Sequence, residues 1–438
     1  MRLLIHDYAG HPFQVQLSRE LARRGHLVVH AFAGGLLTPR GSLQKKADDP
    51  NILELVEVPM DVNYRRDKYR FLRRRQMEVE YGRAIAALIV EKKPELVISA
   101  NTPTEPQLRI ANTCSRLEIS FVPWIQDFYS VAVARLAKKK LPVIGNLISW
   151  WYRHLERATL RQAAAVIAIT DDFMPLLQQF GVASERIEVI PNWAPLEELP
   201  VRPRRNAWSA THGLDDQFVF LYTGTLAMKH NPELLWQLAL AFEADPGVQV
   251  VVISEGPGAE YLTKKMGEHP TFNIQSPTSN NQQDQQAANN NPAIQQSSNP
   301  AAKPKGALRV LPFQPFSDMP EVLASADVLV AVLEADAGVF SVPSKVLTYQ
   351  CAGKPLLAAM PSGNLAARLI AKEGSGICVE PDNLTGFLNA ARELREDAAL
   401  RQRCGEKARA YAERHFDIQK IADRFEEIAK RQAPSARR

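Results

Sequence analysis

Five short stretches hold the residues whose types and spacing could do chemistry. In "DYAGHPFQ", Gly10 and His11 stand just before a helical pattern. A glycine lets a phosphate approach the backbone, and a helix start offers free N–H groups and a positive dipole end. His11 can donate to an anion or to a substrate hydroxyl. In "TGTLAMKHNPELL", Gly224 ends an apolar run, Lys229 follows, and Asn231-Pro232 opens the next helix. A lysine in such a loop neutralises a diphosphate as a mobile point charge. In "EGPGAEYL", Gly256 and Gly258 tighten the loop and Glu255 can accept hydrogen bonds from a base or a ribose. In "SVPSKVLTYQCAGKPLLAAM", Ser341 and Ser344 are caps, Pro343 is tolerated in a first turn, and Lys345 lies in that turn. A cation there opposes the helix dipole at a cost of ~0.3–1 kcal/mol, and an anionic ligand reverses that balance. Gly353 and Pro355 then stop the helix. In "FVPWIQDFYS", Asp127 can orient a substrate hydroxyl or accept its proton. Each stretch also has a plainer reading: a turn, a surface lysine, a crossover helix, a capping aspartate.

Metal chemistry has no foothold in these patterns. The four cysteines (Cys114, Cys351, Cys378, Cys404) are far apart, without a CxxC pair or a Cys/His cluster at zinc spacing, and there is no D-x-D. No disulfide framework is suggested, and a reducing cytosolic setting fits. The opening "MRLLIHDYAGHPF" has no apolar run long enough for a signal peptide. No segment reaches the ~18 apolar residues of a membrane span. A cytoplasmic location is expected, with contact at the inner face of the plasma membrane as an addition.

That addition rests on charge. The net charge is +5, and the excess lies in the first 200 residues, concentrated in "NYRRDKYRFLRRR" (Asn63–Arg75), where seven Lys/Arg face Asp67 alone. Such a patch suits an anionic partner, or is simply a solvated helix face. Nucleic acid is the least expected partner, because interleaved aromatics and a recognition motif are missing. The stretch Arg135–Arg161 adds basic residues beside Trp150 and Trp151, compatible with interfacial contact.

The elements that must position these residues follow from the pattern. At 438 residues the chain is too long for one core, so two domains are expected. Apolar runs "RLLI", "LVVHAF", "ELVISA", "FVPWI" and "AVIAIT" read as buried strands, separated by amphipathic helices such as Phe13–Arg24 and Arg70–Lys92. This alternation implies parallel sheets with right-handed crossovers. The proline-rich stretch Asn192–Trp208 reads as a linker, after which "FVFLYTG", "VQVVVIS", "LRVLPF", "DVLVAVL", "PLLAAM" and "GICVEP" form a second series. The expected domains are residues 1–195 and 196–415, with a final helix (416–438) returning to the first. Residues 271–305, rich in Asn, Gln, Ser and Pro, cannot bury enough surface to order and are expected to be a disordered insertion.

The order and spacing of the "AGHP" and "RRGH" opening, "VIPNW", "YTGTLAMKHNPELL", "SEGPG", "LPFQPFSDMPEVLASADVLVAVL" and "VPSKVLTYQCAGKPLLA" resemble a glycosyltransferase of the GT-B architecture. More narrowly, the chain is similar to family 4 of retaining nucleotide-sugar transferases, in the flavour of the bacterial exopolysaccharide and colanic-acid fucosyltransferase-like group. The resemblance covers nearly the full length apart from the insertion. It implies an α/β fold of two Rossmann-like, doubly wound domains facing across a cleft. It also implies an NDP-sugar donor held mainly by the second domain, a glycan or polyprenyl-diphosphate-linked acceptor, and neither cofactor nor metal. By position, Gly10 matches the glycine loop near the donor diphosphate, Lys229 the basic residue on that diphosphate, and Glu255-Gly256 the loop beside the nucleobase. Ser344 and Lys345 lie in the helix start that faces the donor, and His11 and Asp127 are the candidates for catalysis. Relatives often carry two glutamates where Phe340 and Thr348 stand here, and arginine where Thr225 stands. Two further readings stay open: another GT-B sugar-nucleotide enzyme, such as an epimerase or hydrolase, and a catalytically inactive binding protein.

Overall fold

A computed structural model describes residues 1–36, 40–67, 70–140, 144–226, 230–269, 307–335 and 344–433. Lys229, Phe340, Ser341, Pro343 and the 271–305 insertion lie outside the described residues.

The first sheet contains β1 (Arg2–Asp7), β2 (Leu27–Ala33), β3 (Leu53–Val58), β4 (Leu96–Ala100), β5 (Ser120–Ile125), β6 (Val166–Ala168) and β7 (Ile187–Val189). Their order is β3-β2-β1-β4-β5-β6-β7, and every pair is parallel. The second sheet contains β8 (Phe218–Thr223), β9 (Val248–Ile253), β10 (Leu308–Leu311), β11 (Val328–Val332), β12 (Leu356–Ala359) and β13 (Gly376–Val379). Its order is β10-β9-β8-β11-β12-β13, again all parallel.

Central strands such as β4, β8 and β11 are buried along their whole length, which is why they read as continuous apolar runs. Two strands, β3 and β7, escape that reading. Both lie at sheet edges; β3 runs "LELVEV" with its interior positions partly or fully exposed, and β7 is three residues long. The observed helices Pro12–Arg23 and Phe71–Lys92 begin within a residue of the sequence reading.

Each sheet reverses its winding once, between β1 and β4 in the first and between β8 and β11 in the second. Loops leaving the carboxyl ends of strands diverge there and open a crevice for ligands. All the candidate loops are at or beside these two points.

The final helix, Ile418–Gln432, packs on the first sheet's domain rather than on the second. Its buried stripe of Ile418, Ile421, Ala422, Phe425, Ile428 and Ala429 has the spacing of one helical face. Phe425 reaches an aromatic cluster in which Trp124 and Trp193 stack at 5.6 Å and Phe425 lies 4.8 Å from Trp124. Trp193 thus ties the start of the linker to the first domain. At the linker's other end, Trp208 Nε1 donates to Gln314 Oε1 at 3.1 Å in the second.

Two histidines are sealed in the first domain. His6 hydrogen-bonds Ser99 Oγ at 2.8 Å and Tyr81 OH at 2.6 Å, and His30 bonds Ser18 Oγ at 2.8 Å. Burial drives His6 down to about 3 and His30 down to about 4, so both are neutral in the fold. The unfolded chain, with ordinary histidines, therefore binds more protons than the fold between pH about 6.5 and about 4. Stability is full above that window and falls with acidification through it, by up to roughly 1.4 kcal/mol per pH unit for each histidine. Denaturant titrations across this window should show that slope, reduced in His30→Gln; a flat profile would contradict it.

Candidate functional site

The first cluster gathers where β1, β4 and β5 end. β1 closes on Asp7, whose buried carboxylate accepts the backbone N–H of Ala9 at 3.1 Å and that of His11, and pairs with His11 Nδ1 at 3.0 Å. Burial pushes the Asp7 carboxyl up, but the charge and hydrogen bonds of His11 outweigh it and hold the group below its usual value. In the neutral tautomer that donates Nδ1–H to Asp7, the lone pair of His11 is on Nε2. His11 is held in place because it directly precedes Pro12, the first residue of the helix.

Asn101 follows β4 in a left-handed conformation (φ 50°) and donates from Nδ2 to Gln126 Oε1 at 2.9 Å. With Asp127, these residues border a cavity of about 300 Å³ that His11 also lines. Glu156 closes it from the helix Ile144–Arg161. Ser130 Oγ donates to Glu156 Oε2. Burial, joined by the neighbouring charge of Asp127, pushes the Glu156 carboxyl up to about 7 against those hydrogen bonds.

Asp7 and Glu156 are the functional candidates that sequence reasoning missed. Glu156 had a signal: it falls in phase with Tyr152, Leu155, Thr159 and Leu160 on the buried helix face. A carboxylate in that phase needs a reason. Gly10 has a structural reason as well as the proposed one. It is buried under the connection from β2 to β3, and a Cβ there would fall 2.8 Å from Leu43 Cδ1.

The second cluster gathers where β8 and β9 end. The helix Ser344–Cys351 is pinned to β8 by Tyr349, whose hydroxyl accepts from Thr223 N at 2.9 Å and donates to Thr223 O at 3.2 Å. Lys345, in the first turn, consequently lies beside Gly224: a Cβ at 224 would sit 3.5 Å from Lys345 Cε. Its ammonium donates to Tyr222 OH and stands 3.6 Å from the centre of that ring. Ser344 is exposed at the same helix start.

The two loops are knitted together. Leu226 N donates to Ser254 Oγ and Gly258 N to Leu226 O, each at 2.9 Å. Gly256 (φ 101°, ψ −169°) occupies backbone space essentially reserved for glycine and delivers the helix Pro257–Glu268 directly after the half-buried Glu255. Gly224, Glu255, Gly256, Ser344 and Lys345 thus belong to one end of the second sheet, whereas Gly10, His11 and Asp127 belong to the first.

The basic stretch is more neutralised than its sequence suggests. Arg66 and Arg70 pair with Asp67, Arg73 with Asp61, Arg74 with Glu78 and Arg75 with Glu105. Phe71 and Leu72 within it are exposed, as are Ile144, Leu147, Trp150 and Trp151 on the helix Ile144–Arg161, and the Phe71 ring lies 6.4 Å from Tyr152 of that helix. Among the described residues no helix is long and apolar enough to cross a membrane, and none groups His, Cys, Asp and Glu as a metal site.

Residues 11–193 match the family described as Glycosyl transferase 4-like domain. WcaI of Escherichia coli strain K12, named for glycosyl transfer in colanic acid biosynthesis, is 21% identical over 274 residues, 62% of this chain. The matched region spans 58% of that relative's length. Among solved structures, Anabaena Alr3699/HepE in complex with UDP-glucose superposes with a TM-score of 0.63 at 14% identity, covering 98% of this chain and 99% of the other. Sucrose-phosphate synthase (tll1590) from Thermosynechococcus elongatus gives 0.66 at 12% identity, covering 98% of each chain. These likenesses show the fold: two parallel-sheet α/β domains of the GT-B architecture.

Proposed function

We propose, from a GT-B fold whose first domain matches the glycosyl transferase 4-like family, that this protein transfers a sugar from a nucleoside-diphosphate donor to a hydroxyl of a glycan acceptor. One observation carries the reading: Lys345 stands in a first helical turn beside Gly224, at the winding reversal of the second sheet. Tyr222 holds the ammonium in place against the dipole of its own helix, and a diphosphate arriving at that helix start would meet both the cation and the free N–H groups.

The chemistry follows from where charge develops. As the glycosidic bond breaks, negative charge accumulates on the departing nucleoside diphosphate. Lys345, the N–H groups opening Ser344–Cys351 and those opening Pro257–Glu268 would meet it with fixed positive ends. Lys229, from the same loop as Gly224, is proposed as a second cation. Glu255 and Gly256 would border the nucleoside. The acceptor hydroxyl would enter from the first-domain cavity, with Asp127 orienting it and His11 Nε2 taking its proton. Closure of the domains would exclude water and limit hydrolysis. A retaining outcome and a lipid-linked acceptor are the finer form of the proposal, and the likeness to WcaI, named for colanic acid biosynthesis, supports a role in exopolysaccharide synthesis.

A donor screen tests it. Among NDP-sugars, at least one should raise the melting temperature and turn over with an acceptor extract. Free sugar released without glycosylated product would favour the epimerase or hydrolase reading. A bound donor that never turns over would favour an inactive binding protein, for which Thr348 in place of the relatives' glutamate speaks.

Two further predictions belong here. Asp7→Asn should lower kcat roughly 10²–10⁴-fold with donor KM little changed, since the variant frees the His11 tautomer without touching the donor; an unchanged kcat would remove His11 from catalysis. For membrane contact, the exposed tryptophans should matter more than the paired arginines. Trp150→Ala with Trp151→Ala should abolish sedimentation with anionic liposomes, and failure of the parent protein to sediment at low salt would contradict the contact.

A further inference from the structure

A separate concavity of about 210 Å³ lies on the first domain, between the helices Ile144–Arg161 and Met174–Gln179. Trp150, Arg153, His154 and Arg157 line it from one side, at the spacing of a single helical face. Leu176, Gln179 and Phe180 close the other side, and no Asp or Glu lines it. Unlike Arg74 and Arg75, neither Arg153 nor Arg157 has a carboxylate within ion-pair distance among the described residues. Arg157 Nη2 donates to Gln179 O at 2.8 Å, which anchors the guanidinium at the end of the second helix and takes one of its five N–H donors. Glu156, between the two arginines in sequence, lies on the buried side and accepts from Ser130 Oγ.

Two cations one helical turn apart repel unless an anion bridges them. What stands beside them narrows the anion. Trp150 is 60% exposed and Trp151 43%, and Ile144 and Leu147 are exposed on the same helix. The His154 ring stacks with both indoles, 5.7 Å from Trp150 and 6.5 Å from Trp151. A free phosphate would use the arginines and leave these apolar side chains in water. A nucleic acid would stack on the indoles but offers nothing to Ile144 and Leu147. A phospholipid surface uses both sets: its phosphates meet the guanidinium forks, and its headgroup boundary takes up tryptophan. The buried face of the same helix lines the first-domain cavity with Glu156, Thr159 and Leu160. A bilayer docked on the outer face therefore stands roughly one helix diameter (10–12 Å) from that cavity.

We propose that this pocket binds the phosphate of an anionic phospholipid headgroup, with Arg153 and Arg157 clasping it while Trp150, Trp151 and Leu147 enter the bilayer surface beside it. The inference rests on the membrane contact proposed above, and adds the lipid chemistry and the site that reads it.

The test uses the full-length protein and vesicles of phosphatidylcholine with and without phosphatidylglycerol. Sedimentation should require the phosphatidylglycerol. Arg153→Gln with Arg157→Gln should weaken vesicle binding about thirtyfold, the loss of two cations at the surface. Arg153→Lys with Arg157→Lys keeps the charge but not the forked donors, and should still lose about fivefold. Melting temperatures confirm that each variant folds. Equal binding to both vesicle types would sink headgroup recognition and leave the membrane contact standing, whereas no sedimentation with either would sink both. A lysine pair that binds like the parent would replace the pocket by diffuse charge and overturn the proposal. So would inorganic phosphate raising the melting temperature of the parent, but not of the glutamine pair, with no vesicle preference for phosphatidylglycerol: the pocket would then be a free-phosphate site. Nucleoside-diphosphate binding is measured on the same samples and should be equal in all three proteins. Its absence from the parent would sink the transferase reading without touching this site.

Discussion

Lys345→Met lowers the rate of sugar transfer roughly 10²–10³-fold, the loss expected when one preorganised donor to a developing anion is removed. The substitution keeps the length and apolar stem of the side chain and deletes the ammonium. Its neighbours are held independently: Tyr349 fixes the helix to Thr223 through two hydrogen bonds, and Tyr222 OH still donates to Thr225 O at 2.9 Å. The melting temperature of the free protein should therefore change little, since the lysine also opposes the dipole of its own helix. The loss should appear mainly in kcat, because charge on the diphosphate is greatest as the bond breaks. Lys345→Arg should recover part of it, since the charge returns with different geometry. Single-turnover transfer rates for the three proteins decide the matter. An unimpaired Lys345→Met enzyme would place the leaving group elsewhere.

Phe425→Ala has the largest expected effect on stability, about 3–5 kcal/mol. The ring is 1% exposed and sits 4.8 Å from Trp124 and 6.0 Å from Trp193. Its removal opens a void among side chains that cannot easily collapse, because Trp193 is also tethered by its Nε1 to Gln16 Oε1 at 2.9 Å. The final helix should then loosen from the first domain, so protease cleavage near residues 416–418 should rise with the drop in denaturation midpoint. The exposed ion pairs along the same contact are a useful contrast. Arg24 meets Asp423 at 2.6 Å, but Asp423 is 67% exposed, so Asp423→Ala should cost at most about 1 kcal/mol. Equal costs for the two variants would mean that charge, not aromatic packing, docks the helix.

Much of the scaffold could be read before any coordinates. Strands buried on both faces announce themselves as unbroken apolar runs. Edge strands do not, since β3 mixes exposed and buried side chains along its length. The place of Lys345 in a first helical turn was legible, because a proline and a serine directly before it mark a helix start. Gly10 shows the limit of local reading. Its bare backbone faces Leu43 and Arg40, brought in by a connection that no short-range pattern reveals. The arginine run shows the same limit, since its partners Asp61, Glu78 and Glu105 arrive through the fold. Asp7 and Glu156 were overlooked because each acquires meaning only from a neighbour, His11 in one case and Ser130 with Asp127 in the other.

Amide hydrogen exchange with and without a bound nucleoside diphosphate tests the assignment of the leaving group most directly. Protection should rise at residues 223–226, 255–259 and 345–349, and should fade in Lys345→Met. Protection confined to the first domain, or spread evenly with none at those three segments, would contradict it.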